Sequence, residues 1–189
     1  MKKKTVALLM ALVLIFGVAA GGTVAWLTDK TETITNTFID SDINITLTET
    51  KGGADKTFKM IPGGTIEKDP KVTVKAGSEA CWLFVKLEES TNYTDYLKHE
   101  IADGWTAVPG ADGVYYRKEN ATSADVTYSV LTGDKLTVKD TVTKALMDAI
   151  DDPTETKPTL TVTAYAIQQA NIDETEPAAV WMLLNNNLQ

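Results

Sequence analysis

Ala80-Cys81-Trp82-Leu83-Phe84-Val85-Lys86-Leu87 puts Cys81, Leu83, Val85 and Leu87 on one face of an extended chain and Trp82, Phe84, Lys86 and Glu88 on the other. Period two is the signature of a β-strand. The same period recurs on both sides of this segment. Upstream, Ile43, Ile45 and Leu47 alternate with Asn44, Thr46 and Thr48, and Lys71-Val72-Thr73-Val74-Lys75 follows. Downstream, Trp105 to Val108 and Val114 to Arg117 flank Pro109-Gly110-Ala111-Asp112-Gly113, a hairpin turn by composition. Further strands are expected at Val126 to Leu131, Lys135 to Val138 and Thr159 to Gln168. Turn signals every ten residues or so predict an all-β, antiparallel β-sandwich.

Helical spacing is confined to short pieces. Tyr93, Tyr96, Leu97 and Ile101, and separately Val142, Leu146, Met147 and Ile150, each predict two or three turns inserted between strands as lids. Near the C-terminus, Thr175 is placed to cap a helix that carries Pro177 in its first turn and then Ala178, Ala179, Trp181 and Leu184. The segment Thr50 to Gly64, rich in Lys and Gly, predicts a mobile loop.

The N-terminus reads as an export address. Lys2, Lys3 and Lys4 precede an apolar run from Val6 to Ala20, and Thr23 and Ala25 stand at the −3 and −1 positions of a cut before Trp26. Val18 and Ala20 offer a competing cut one turn earlier, and the uncharged run from Thr5 to Thr28 is also long enough to span a hydrocarbon core of about 30 Å if left uncleaved. The expected organisation is a signal helix over 1–25, an arm or first strand over 26–40 and a β-sandwich domain over 41–189. No second hydrophobic segment follows, so no membrane anchor is expected after cleavage.

Of 189 residues, 26 are acidic and 18 basic, a net charge of −8. Cleavage would remove three lysines and no acid, taking the net charge to −11. This balance, with Arg117 as the single arginine, argues against nucleic acid and anionic membranes as partners. Cys81 is the only cysteine, so no intramolecular disulfide can form, and a buried, inert thiol is expected.

Catalytic constellations are hard to find. His99 is the only histidine, and His99-Glu100 lacks the second imidazole one turn along that a zinc site on one helix face requires; a surface histidine at the edge of a helical insert is expected. There is no Gly-x-Ser-x-Gly elbow, and no carboxylate pair is singled out among so many acids. Asp148, Asp151 and Asp152 do not match a calcium-loop spacing and read as a solvated helix end. Neither catalytic residue, metal ligand nor cofactor is expected.

Several landmarks stand together in order: Gly21-Gly22-Thr23-Val24-Ala25-Trp26-Leu27-Thr28-Asp29, Asn36-Thr37-Phe38, Asp42-Ile43-Asn44-Ile45, Ile61-Pro62-Gly63-Gly64 with Lys68-Asp69, Gly104-Trp105, Val114-Tyr115-Tyr116, and Ala164-Tyr165-Ala166-Ile167-Gln168 before Ala179-Val180-Trp181. Together they resemble the camelysin and TasA-like family, across nearly the whole chain. The resemblance implies a jelly-roll sandwich exported by a bacterium, cut by a SipW-type signal peptidase and assembled into fibres of biofilm matrix or cell surface, with copies of itself or related subunits as partners.

In the donor-strand mode that this resemblance implies, the arm from Trp26 to about Ile34 leaves its own subunit and completes a sheet of the next. Trp26, Leu27 and Ile34 would be its apolar plugs, with Lys30, Glu32 and the threonines facing water. Two alternatives come from other classes: a camelysin-like secreted metallopeptidase, a label the family carries although no zinc ligands transfer to this sequence, and a monomeric secreted binding domain.

Overall fold

The computed structural model describes residues 42–51, 58–151 and 155–187, all within one compact unit, Asp40–Gln189. Residues 1–41, which include the expected signal segment and arm, lie outside the described residues. The fold is all-β: among the described residues, ten strands form three antiparallel sheets, with three short α-helices and one 3-10 turn (Thr132–Asp134) between and after them.

The strand β4 (Cys81–Glu89) is central to the largest sheet, ordered β10-β4-β7-β6. It pairs along its whole length with β10 (Leu160–Gln168) and from Cys81 to Lys86 with β7 (Val114–Glu119), which pairs in turn with β6 (Thr106–Ala107). Both faces of β4 are buried, for two different reasons. Leu83, Val85 and Leu87 join Val72, Val74 and Val138 in the main core, while Trp82 and Phe84 join Val114, Val180 and Leu184 in a second cluster on the opposite face. The even-numbered face is roofed by the C-terminal helix.

The turn between β6 and β7 forms as its composition predicts. Val108 N–H donates to Val114 O (2.9 Å) and Leu87 N–H to Gly113 O (2.8 Å). Gly113 has φ +70°, and a Cβ there would collide with the Leu87 carbonyl, so glycine is required on two counts.

Two three-stranded sheets complete the fold. One is ordered β1-β3-β8, from β1 (Ile45–Glu49), β3 (Pro70–Val74) and β8 (Val126–Ser129). The other is ordered β2-β9-β5, from β2 (Thr65–Glu67), β9 (Lys135–Val138) and β5 (Leu97–Lys98). Neither β2 nor β5 was expected. β2 is three residues long with one inward side chain, Ile66, too short to display a period.

The expected helix from Tyr93 to Ile101 is a correction. Only α1 (Tyr93–Tyr96) is helical, a single turn; Leu97 then pairs with Val138, and Ile101 bridges Leu131. The i, i+3, i+4 spacing of Tyr93, Tyr96 and Leu97 is satisfied by one turn that delivers all three side chains to the core, after which ladder bonds to β9 outcompete continued helix.

The helix α2 (Lys144–Asp151) matches its predicted stripe. Thr143 caps it, accepting from Leu146 N–H (3.3 Å), and Val142, Leu146, Met147 and Ile150 lie on the main core. The helix α3 (Pro177–Asn187) begins one residue later than expected: its first intrahelical bond runs from Val180 N–H to Glu176 O, which makes Glu176, not Thr175, the capping position. Its Trp181 lies 5.4 Å from Phe84 and 5.3 Å from Tyr165, ring centre to ring centre.

Candidate functional site

Strands β1 and β10 each end their sheets among the described residues, and the two run close to one another. The end of a sheet presents unpaired main-chain donors and acceptors, which a further strand can satisfy. Between these two edges lies a groove of about 1180 Å³. That exceeds the usual small-molecule cleft of about 300–1,000 Å³.

Its walls come from distant parts of the chain. Leu47, Thr48 and Glu49 of β1 form one side together with 58–61, and Thr159 to Val162 at the start of β10 form the other. Met147 and Ile150 of α2 contribute from above, and Ile66, Leu97 and Leu136, one from each strand of the β2-β9-β5 sheet, form the floor. The groove therefore opens directly onto the main core. Its mouth is unusually apolar for a protein surface: Ile61 is 69% exposed, and Leu47 and Phe58 are also exposed.

Charge enters the groove at defined points. Lys68 Nζ meets Glu49 Oε2 at 3.0 Å, with only 14% and 18% of the two side chains exposed. Lys59, Lys157 and Asp151 complete the charged lining. Nearby, Asp69 is buried and clamps the chain leaving β1, accepting from Thr50 N–H (2.9 Å), Thr50 Oγ1 (2.5 Å) and Lys51 N–H (2.7 Å). The Thr50 hydroxyl and the Lys51 amide hold its carboxyl below the usual carboxylate range.

The residues read from the sequence as functional are distributed differently. Thr23, Ala25, Trp26, Leu27 and Ile34 lie outside the described residues. His99 is not on a helix: it follows β5, with 12% of its side chain exposed, its Nδ1 3.0 Å from Tyr93 Oη and 3.4 Å from Glu89 Oε1. Burial lowers its pKa and outweighs the opposing pull of Glu89. Asp148 is paired with Lys144 (2.6 Å), and Asp152 is outside the described residues. Among the described residues no three His, Cys, Asp or Glu side chains are placed to hold a metal.

Cys81 is fully buried at the start of β4, and burial pushes its thiol up to about 11. The thiolate is the reactive form, so the folded protein should leave an aromatic disulfide reagent unconsumed at pH 8, and unfolding in guanidinium should release one equivalent of thiol. Rapid labelling of the native protein would show that the site opens.

The groove had no local signature in the sequence. Phe58 and Ile61 beside Pro62-Gly63-Gly64, apolar residues inside an apparent loop, were the available hint. Comparison with known proteins gives no matching family model, no matching curated protein and no matching solved structure.

Proposed function

We propose that this chain is a secreted structural protein, a subunit of extracellular bacterial fibres, in which the N-terminal arm of one copy occupies the groove between β1 and β10 of the next. The observation that carries this reading is the groove itself: an apolar trough open to the core and flanked by the outer edges of two strands. An extended segment is the occupant that uses both features, since its main chain completes a sheet edge while alternate side chains enter the trough. The sheets on this reading are the leaves of a jelly-roll-like sandwich.

The arm fits the role by composition. A SipW-type signal peptidase cutting between Ala25 and Trp26 would place Trp26 at the new N-terminus, with Leu27 and Ile34 close behind. Each apolar plug buried in the trough contributes about 1.5–3 kcal/mol. Because donor arm and acceptor groove are different surfaces, the contact is head-to-tail and propagates instead of closing.

Deletion of Trp26 to Thr33 tests the reading. The expected product is a folded monomer by size exclusion and circular dichroism that forms no filament on a negative-stain grid. Filaments from the truncated protein would overturn arm-mediated assembly, and casein cleavage abolished by EDTA would replace it with a metallopeptidase.

A further inference from the structure

Alternation along the arm raises a problem that the groove resolves. In an extended strand Trp26, Thr28, Lys30, Glu32 and Ile34 share one face, while Leu27, Asp29, Thr31 and Thr33 share the other. A strand that turns Trp26 and Ile34 inward therefore also turns Lys30 and Glu32 inward and leaves Leu27 on the opposite face, so the expectation that all three apolar residues enter together while both charges face water cannot hold for a regular strand. Burying those two charges against aliphatic walls alone would oppose docking strongly, because an unpaired charge loses its hydration without compensation. The groove, however, is not wholly aliphatic.

We propose that the Glu49–Lys68 ion pair is a register key: Lys30 of the incoming arm meets Glu49, and Glu32 meets Lys68, closing a four-charge network inside the groove. This inference rests on the arm-in-groove reading above and names what selects the partner, a second copy of this chain with the charge order Lys30, Glu32. Both members of the acceptor pair line the trough, are 3.0 Å apart and are mostly buried already, so little further desolvation accompanies docking.

Residues two apart on a strand lie about 7 Å from each other, within reach of two long side chains converging on one ion pair. The network also rejects wrong registers. A one-residue slip sends Leu27 and Asp29 inward and both key residues outward. A two-residue slip brings Glu32 against Glu49, a like-charge contact.

The experiment uses the full secreted chain in three forms: the acceptor swap Glu49→Lys with Lys68→Glu, the arm swap Lys30→Glu with Glu32→Lys, and all four together. Each swap alone is expected to raise the lowest protein concentration that yields filaments by about 30-fold or more, from like-charge contacts at both positions. The fourfold variant should return to within about threefold of the unmodified chain, as coupled sites do.

Thermal melting of the acceptor swap reports whether its pair re-forms in reverse, and the arm swap leaves every residue of the sheets unchanged. Either swap polymerising like the unmodified chain, or a fourfold variant no better than the singles, would overturn the register key. If the arm deletion abolishes filaments while both swaps polymerise normally, only the key fails. Filaments after arm deletion, or an unmodified chain that never polymerises, remove the reading beneath it as well.

Discussion

Phe84→Ala is expected to lower the free energy of unfolding by about 3–5 kcal/mol. Phe84 is fully buried on the face of β4 that the helix α3 covers, with its ring 6.3 Å from Trp82, 6.2 Å from Tyr116 and 5.4 Å from Trp181. Truncation removes the ring's transfer free energy and leaves a cavity among three large aromatic groups that are tied to separate strands and a helix. Such groups cannot all collapse inward at once. The helix meets the sheet chiefly through Val180, Trp181 and Leu184, so loosening this contact should also expose the Trp82 face.

Urea denaturation followed by tryptophan fluorescence measures the loss, and increased binding of a hydrophobic dye well below the transition would report the detached helix. A change below about 1 kcal/mol would mean that the second cluster is not a true core.

The longer sheet strands are legible because their signal is local, whereas β2 and β5 are too short to carry one. The alternation in β4, the glycine-bearing turn before β7 and the stripe of α2 each lie within a dozen residues, and the structure places all three as read. What sequence could not convey is why both faces of β4 are apolar: Trp82 and Phe84 are explained by Val180 and Leu184, nearly a hundred residues away. The misread helix at Tyr93 shows the same limit from the other side. Its apolar spacing was real, but a single turn satisfies it, and the choice between helix and strand at Leu97 is made by pairing with Val138.

The groove is the extreme case of non-local information. It exists because Leu47 to Glu49 and Thr159 to Val162 stand apart above Ile66, Leu97 and Leu136. No window of sequence contains that relation. Residues such as Thr48 and Thr161 look like ordinary solvent-facing strand positions, and Glu49 and Lys68 like ordinary surface charges, until the topology sets them around one trough. The proposed arm is legible in the opposite way: its apolar residues and its place after the expected cleavage site are visible in sequence, whereas the groove proposed to receive it is not.

Arg117→Ala is expected to cost about 2–3 kcal/mol, large for a residue that sequence marks only as the single arginine. Arg117 lies on β7 with its guanidinium 3.4 Å from the Tyr128 ring centre and 5.5 Å from that of Trp105. It is paired through Nε with Glu119, which also accepts from Tyr128 Oη, and the side chains of Arg117 and Glu119 are only 20% and 14% exposed. Trp105 Nε1 donates to Ser129 O (2.9 Å), so the same cluster fastens the β10-β4-β7-β6 sheet to β8 of the β1-β3-β8 sheet.

Space for the guanidinium is built into the backbone. Gly104 has φ +87°, and a Cβ there would stand 3.1 Å from Arg117 Nη1. Removing the arginine leaves Glu119 mostly buried without its cation, which is the costly half of breaking such a pair. Lysine should recover only part of the loss, because it keeps the charge but neither the planar stack on Tyr128 nor the Nε–H donor to Glu119. Tyr128 supplies a readout that a merely loosened fold would not give. Burial and the bond to Glu119 push its phenol up to about 12, and Arg117 pulls it back down. Spectrophotometric titration of Arg117→Ala should therefore move Tyr128 further up, and an unchanged Tyr128 in a variant that keeps the native near-ultraviolet circular dichroism would show that the guanidinium does not hold it down.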